Sequence, residues 1–163
     1  MIIIRRIEPD EWIIAKQLIY RVAHIIFNDA RPLEDSMAYG ESNGWLKDMN
    51  DIQQAYFNND GIFLVMIDEN QLICTGAIRK FEDKICELKR LWLLPDYHGK
   101  GLGYRMMQEL LLFAREKGYE RIRLETDPVY QKRAVEFYKR LGFYEVQIPN
   151  ATEDEDILLE MSL

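Results

Sequence analysis

The sequence has few cysteines and no long apolar run, and both absences narrow the kinds of protein it can encode. Two cysteines in 163 residues, Cys74 and Cys86, are too few for a disulfide framework and too far apart for a zinc knuckle. We therefore expect two buried thiols and no metal. No apolar stretch approaches the roughly 18 residues that a membrane span needs, and "MIIIRRIEP" has its basic residues on the wrong side for a signal peptide. The composition predicts a cytoplasmic protein without membrane association.

An excess of positive charge is also missing. The net charge of −7 at pH 7 argues against a nucleic-acid surface, which would normally show a basic face. The balance is uneven, since residues 98–123 carry six Lys/Arg against three Glu, which would suit an anion. Acidic residues gather in residues 28–44 and again after Asn150, which would suit a cation. Solvated faces would give the same patterns.

Helical and strand-like patterns alternate along the chain. Apolar residues at helical spacing predict a helix from Pro9 to about Phe27, followed by a loop to Gly44 and a weaker helix from Trp45 to Phe57. Three strand-like runs between residues 61 and 95, separated by short turns, predict an antiparallel meander.

The second half of the chain predicts a different connection. A strand, a helix that stops near Gly118 and a further strand follow one another around residues 88–126, so that pair of strands must run parallel. Gly142 is expected to end a last helix that begins at Gln131, before two closing strands. The length fits one domain over residues 1–163.

Three glycines stand at alternate positions at the start of the helix that stops near Gly118. Gly99, Gly101 and Gly103 lie in "LLPDYHGKGLGYRMM". Their spacing fits neither a P-loop nor a dinucleotide fingerprint, which needs a glycine at the position of Tyr104. A backbone without Cβ atoms at a helix N-terminus can bring free N–H groups against an anion, so a phosphate group is the expected ligand. A tight turn without a ligand would show the same glycines.

The segment "ELKRLWLLPDYHGKGLGYRMMQELLLFAREKGYERIRLET", followed by "AVEFYKRLGF", resembles the GNAT superfamily of N-acetyltransferases. The resemblance covers about residues 85–145 closely. It implies an α/β fold with a GNAT-like, mostly antiparallel sheet of six to seven strands, flanking helices and one parallel strand pair. It also implies acetyl-coenzyme A (acetyl-CoA) as the acetyl donor, no metal, and an amine of a small molecule or peptide as the acceptor. A homodimer is a further expectation, because dimers are common in the family.

Carried over residue by residue, the resemblance assigns a cofactor-binding set. The pyrophosphate loop would be Gly99, Lys100, Gly101, Leu102, Gly103 and Tyr104. The strand residues Leu91, Trp92 and Leu93 would bond the pantetheine arm edge-on. Two positions depart from the family pattern, His98 where Gln or Arg is usual and Gln131 where Asn is frequent. Both are kept as candidate ligands of the coenzyme.

The chemistry of acyl transfer points to further residues. An alkylamine has a pKa of roughly 10 and arrives protonated, so a base must remove its proton. Glu87 stands at the spacing of the general base of some relatives, although a strand carboxylate paired with Lys89 or Lys80 explains it equally well. A backbone N–H within Leu91–Leu93, freed by a bulge that relatives have there, would stabilise the developing oxyanion. By the same resemblance Tyr138 would protonate the departing thiolate, while periodicity alone makes it a core tyrosine.

Two alternative functions stay open at this point. The glycine pattern after a strand also suits S-adenosylmethionine, with Glu125 as a ribose ligand, but methyltransferase folds continue with several strand-helix units and few residues follow Asp127 here. The other alternative is a non-catalytic acyl-coenzyme A binder that acts as a sensor or a subunit.

Overall fold

The computed structural model describes residues 1–147 and 156–163. Within these residues the strands are β1 (Ile2–Arg6), β2 (Ile62–Asp68), β3 (Gln71–Glu82), β4 (Ile85–Leu93), β5 (Arg121–Thr126), β6 (Tyr144–Val146) and β7 (Ile157–Ser162). The α-helices are α1 (Trp12–Ile26), α2 (Leu33–Ser42), α3 (Leu102–Lys117) and α4 (Lys132–Leu141).

The strands form one seven-stranded sheet in the order β1-β2-β3-β4-β5-β7-β6. All neighbours run antiparallel except β4 and β5, whose residues Ile85–Glu87 and Arg121–Arg123 pair in parallel. The helix α3 crosses from β4 to β5 and makes the parallel pairing possible. The sequence prediction of a mostly antiparallel sheet with flanking helices and one parallel pair is confirmed.

Helices cover both faces of the central strands. Along β2 the side chains alternate, so that Ile62, Leu64 and Met66 join the core beneath α3 and α4, while Phe63 and Val65 join the core beneath α1. Alternation of this kind needs a strand that is buried on both sides, which explains why β2 reads as a continuous apolar run.

Glycines define both ends of α3 and its distance from the sheet. Gly101 precedes the helix with φ 75° and Gly118 follows it with φ 93°, left-handed conformations that favour glycine. A Cβ on Gly76 of β3 would lie only 2.9 Å from the Leu110 Cδ1 and 3.1 Å from the Met106 Cγ. The absence of a side chain at Gly76 therefore lets α3 pack closely on β3.

The structure corrects the prediction of a loop up to Gly44, because α2 lies within it. Pro32 stands at the N-cap of α2, and Glu34 and Asp35 in its first turn interact favourably with the positive end of the helix dipole. Ser36 and Gly40 are buried on its inner side. The polar composition of this segment favours a loop, so composition alone does not reveal the signals that start α2.

The helix predicted from Trp45 to Phe57 is also wrong. The segment forms a 3-10 turn at Lys47–Asn50 and a π-helical turn at Gln53–Phe57. Tyr56 is completely buried and bonds Asp48, so contacts made inside this segment and with the sheet set its shape. Tertiary packing has overridden the helical spacing.

Two further expectations concern membranes and thiols. Among the described residues, no helix combines the length and apolar character that crossing a membrane requires.

Cys74 and Cys86 are both buried and free, and burial raises the pKa of each thiol to about 12. The prediction of ordinary buried thiols is confirmed.

Candidate active site

A gap opens in the sheet where β4 and β5 diverge. Their pairing stops at Glu87 and Arg123, although β4 continues to Leu93. A cavity of about 520 Å³ lies between the later part of β4 and the helices α3 and α4. Most of the predicted site residues line it: Leu91, Trp92, Leu93, His98, Gly99, Gly101, Leu102, Gly103, Tyr104, Gln131 and Tyr138. Lys100 and Glu87 are not among the lining residues.

The loop that leads into α3 has the bare backbone that its sequence predicts. Gly99 and Gly101 have φ 78° and 75°, and a Cβ built on either would meet no atom of the described residues within 4 Å. The space beside these two residues is therefore open to a ligand. Gly103 lies inside the first turn, where an added Cβ would contact the Phe137 ring at 3.7 Å.

The amides of this loop point to an anion as that ligand. In the described part of the chain, the first backbone bond of the segment runs from the Arg105 N–H to the Gly101 carbonyl at 3.1 Å, and the amides of residues 99–104 make none. Unpaired N–H groups at the start of a 16-residue helix form a positive end that attracts phosphate.

Two arginines that the sequence reading overlooked add positive charge. Arg133 and Arg140 of α4 both line the cavity. Burial, with a contribution from Arg133, lowers the pKa of His98, whose Nε2 lies 3.3 Å from the Leu93 carbonyl oxygen. Lys100 instead lies over the Tyr97 ring, 5.3 Å from its centroid. Counting charges by chain segment could not reveal Arg133 and Arg140, because α4 lies far from the glycine loop in sequence.

Gln131 closes one side of the cavity at the N-cap of α4. Its Oε1 accepts hydrogen bonds from the Thr126 Oγ1 and the Asp127 N–H, both at 3.0 Å. These bonds orient the side-chain amide, and its nitrogen has no partner among the described residues. An amide donor fixed in this way is available to a ligand in the cavity.

Tyr138 presents its hydroxyl to the cavity. Its ring packs between Phe137 and Phe143, with centroids 5.5 Å from each. Among the described residues the hydroxyl has no hydrogen-bond partner. Every fully buried side-chain oxygen there does have a partner, so the Tyr138 hydroxyl is not fully buried and opens into the cavity that Tyr138 lines. Burial, with a smaller effect of Cys74, raises the Tyr138 pKa well above its ordinary value of 10.0. The phenol is therefore protonated at neutral pH.

Glu87 lies at the apex of the gap, where the β4–β5 pairing ends. Its Oε1 accepts a hydrogen bond from the Arg79 Nε at 2.5 Å, and 20% of the side chain is exposed. Arg79 thus takes the place of Lys89 or Lys80, the partners considered from sequence. An amine or a water must share the carboxylate with Arg79, and a role of Glu87 as base stays a prediction.

Replacing Glu87 with glutamine tests that role. If Glu87 removes the proton of the acceptor, the variant should lose rate most below neutral pH, where the amine is most fully protonated. The rate should be followed from pH 6 to 9, with Arg79→Gln as a comparison that breaks the same ion pair but keeps the carboxylate. An unchanged pH profile in Glu87→Gln would remove Glu87 from the chemistry.

The strand β4 carries a bulge beside the cavity. Its register with β3 shifts between Thr75 and Ala77, and Arg90 adopts the left-handed conformation with φ 58°. Arg90 and Leu91 have no register partner on β3, and β5 has already diverged. The bulge lies next to the predicted Leu91–Leu93 stretch, and a backbone amide there as oxyanion donor stays a prediction.

Curated relatives match part of the chain. It is 32% identical over 98 residues to the uncharacterized N-acetyltransferase YjgM of Escherichia coli, which covers 58% of this chain and 58% of that protein. It is 34% identical over 103 residues to N-acetylaspartate synthetase of Xenopus tropicalis, covering 62% of this chain and 38% of that protein. The chain therefore spans less than two thirds of the length of these relatives.

Solved structures match almost the whole chain. An acetyltransferase of the GNAT family from Staphylococcus aureus Mu50 superposes with a TM-score of 0.82 at 17% identity and covers 99% of both chains. The PaiA N-acetyltransferase of Thermoplasma acidophilum, in complex with coenzyme A, gives a TM-score of 0.80 at 20% identity over 100% of this chain and 99% of that one. Similarity at these identities shows the fold.

The family assignment rests on a match that spans most of the chain. The model of the acetyltransferase (GNAT) family matches residues 14–143, which include β2 to β5, the glycine loop and α4. The divergence of β4 from β5 and the open glycine loop lie inside this range. The chain belongs to the GNAT acetyltransferase family.

Proposed function

We propose that the protein is an N-acetyltransferase that moves an acetyl group from acetyl-CoA directly to an amine of a small molecule or peptide. The observation that carries this proposal is the glycine loop, whose unpaired amides and open space at Gly99 and Gly101 fit a diphosphate. The family match and the similarity to a structure that contains coenzyme A support the same donor. Residues 1–163 would form one domain.

The residues present fit acetyl-CoA. The amides of the loop from Gly99 to Tyr104 would hold its pyrophosphate, and Arg133 and Arg140 add charge to the same cavity. The edge of β4 at Leu91–Leu93, left free by β5, would bond the pantetheine arm as an added strand does. When bound, the coenzyme supplies an acetyl group activated as a thioester.

The side chains around the acetyl group would move protons. Glu87 is proposed to take the proton from the acceptor amine, directly or through a water, and the Tyr138 hydroxyl to donate one to the sulphur. Both assignments come from the family resemblance. The support for Tyr138 is an unpaired, protonated hydroxyl in the cavity. The two cysteines are buried and, in the described part of the chain, do not line the cavity, so neither is proposed as a nucleophile.

The charges of the cavity bear on the acceptor. Of the acidic residues expected to attract a cation, Asp29 pairs with Arg31 and Glu41 pairs with Lys16, while Glu153–Glu155 lie outside the described residues. The described lining contains no carboxylate. This lining therefore does not narrow the acceptor, and a small-molecule or peptide amine remains the proposal. A cytoplasmic location and a homodimer likewise stay predictions.

A thiol-release assay tests the proposed activity. Free thiol should appear from acetyl-CoA faster when a mixture of amino acids, polyamines and dipeptides is added, with acetylated products visible by mass spectrometry. A protein that binds acetyl-CoA tightly but releases no thiol across such mixtures would be the sensor or subunit considered above.

Thermal unfolding separates the donor from S-adenosylmethionine. Because a ligand that binds only the folded state stabilises it by about 2.7 kcal/mol at 100 times its Kd, acetyl-CoA should raise the Tm by about 5–10 °C. S-adenosylmethionine should leave the Tm unchanged. The reverse result would favour the methyltransferase alternative, which the antiparallel sheet and the family match already oppose.

A further inference from the structure

At the bulge of β4 a residue other than glycine, Arg90, adopts an unfavourable backbone conformation. Arg90 has φ 58°, and no register partner on either neighbouring strand holds it there. An L-residue keeps such a conformation only where its surroundings impose it. The contacts of Arg90 should therefore show what maintains the bulge.

Arg90 is held from both its side chain and its backbone. Its Nη2 and Nε donate to the two oxygens of Asp48 at 2.6 and 3.0 Å, and Nη2 also reaches the Trp45 carbonyl at 3.3 Å. The Tyr56 hydroxyl donates to the same carboxylate. On the backbone side, the Thr75 Oγ1 donates to the Arg90 carbonyl at 2.7 Å.

This ion pair is costly to bury. Only 18% of the Arg90 side chain and 12% of the Asp48 side chain are exposed. Burial would raise the pKa of Asp48, but the hydrogen bonds from Arg90 and Tyr56 and the charge of Arg90 hold it below its ordinary value. Because buried ion pairs often contribute little net stability, the effect to examine in this pair is the backbone conformation that it specifies.

The backbone that the Arg90–Asp48 pair holds in place is next to the cavity. Leu91, the residue after Arg90, lines the cavity, and Arg90 turns its side chain away towards Asp48. We propose that Asp48, Tyr56 and Thr75 are positioning residues, which hold Arg90 in its left-handed conformation and so aim the Leu91 amide at the acetyl oxygen. This proposal rests on the proposed acetyl transfer. By this proposal the turn Lys47–Asn50, which is not part of the sheet, contributes to the reaction through Asp48.

The test compares kcat with binding and with the state of the acetyl carbonyl. Asp48→Asn and Thr75→Val should lower kcat by about tenfold to a hundredfold, because a misaimed donor stabilises the transition state less. The affinity for acetyl-CoA, measured by calorimetry, should be unchanged. In infrared difference spectra, the isotope-labelled acetyl carbonyl band should lie at lower frequency when bound to the wild-type protein than in solution. Both variants should move it back towards the solution value.

Controls separate aiming from general destabilisation. Thr75→Ser keeps the hydroxyl that bonds the Arg90 carbonyl, so it should restore both kcat and the carbonyl band. Glu11→Gln breaks another partly buried ion pair, 2.8 Å from Arg5, and should lower the Tm without changing the band. If Asp48→Asn does not fold, the pair Thr75→Val and Thr75→Ser decides alone.

Two results would overturn the proposal. Wild-type values of kcat and carbonyl frequency in the variants would show that the contacts to Arg90 do not aim the amide. Failure of the wild-type protein to bind acetyl-CoA would refute the proposed function first, and this inference with it. Binding together with a shifted band in the wild type confirms the donor and leaves the variants to test the positioning alone.

Discussion

Replacing Tyr138 with phenylalanine is expected to lower kcat by about 10² to 10³-fold, within the range of a lost general acid. The substitution removes one oxygen and keeps the ring that packs against Phe137 and Phe143, so the affinity for acetyl-CoA should not change. Since the Tyr138 hydroxyl has no described protein partner, its loss breaks no structural hydrogen bond. Steady-state kinetics with a fixed amine, together with calorimetry, would measure both quantities.

Tyr119 offers a matched control for this experiment. It is also buried, but its hydroxyl donates to the Asp60 carbonyl at 2.7 Å, and it does not line the cavity. Tyr119→Phe should therefore cost about 1 kcal/mol of stability and leave kcat unchanged. Equal losses of kcat in Tyr119→Phe and Tyr138→Phe, or none in Tyr138→Phe, would contradict the assignment of Tyr138 as the acid.

Gly101→Ala is expected to weaken acetyl-CoA binding by about tenfold or more, which corresponds to at least about 1.4 kcal/mol. A Cβ at φ 75° strains the backbone even though no atom in the described part of the chain is within 4 Å. The loop relieves that strain by turning its amides away from the position that a diphosphate needs, and the added methyl group occupies the open space. Calorimetric titration with acetyl-CoA would measure the loss.

Gly118→Ala separates strain from binding. Gly118 ends the same helix with φ 93° and lies outside the cavity, and an added Cβ there would have no atom of residues 1–147 or 156–163 within 4 Å. The two substitutions should therefore destabilise the protein alike, each by about 1–2 kcal/mol. Only Gly101→Ala should lose affinity. A comparable loss of affinity in Gly118→Ala would mean that the glycine loop has no special part in binding.

The sequence predicted the features that depend on short-range pattern. The turn at Gly99 and Gly101, the stop of α3 at Gly118 and the parallel pair β4–β5 follow from local spacing and from chain connectivity, and the structure confirms them. Local spacing is informative there because the apolar residues of a 16-residue helix recur at helical spacing and so mark its buried face.

Other features depend on contacts between distant parts of the chain. Asp48 and Arg90 are 42 residues apart, and no local pattern links the turn at Lys47–Asn50 to a bulge in β4. Arg133 and Arg140 read as surface positions of a short amphipathic helix until the fold brings α4 beside the glycine loop. Pairing decisions of this kind arise only in the tertiary structure.

A crystal structure with acetyl-CoA bound would test the central claim most directly. The diphosphate should lie within hydrogen-bonding distance of the backbone amides between Gly99 and Tyr104, with the acetyl group between the Leu91 amide and the Tyr138 hydroxyl. A diphosphate bound elsewhere on the protein, with this turn left unoccupied, would contradict the claim.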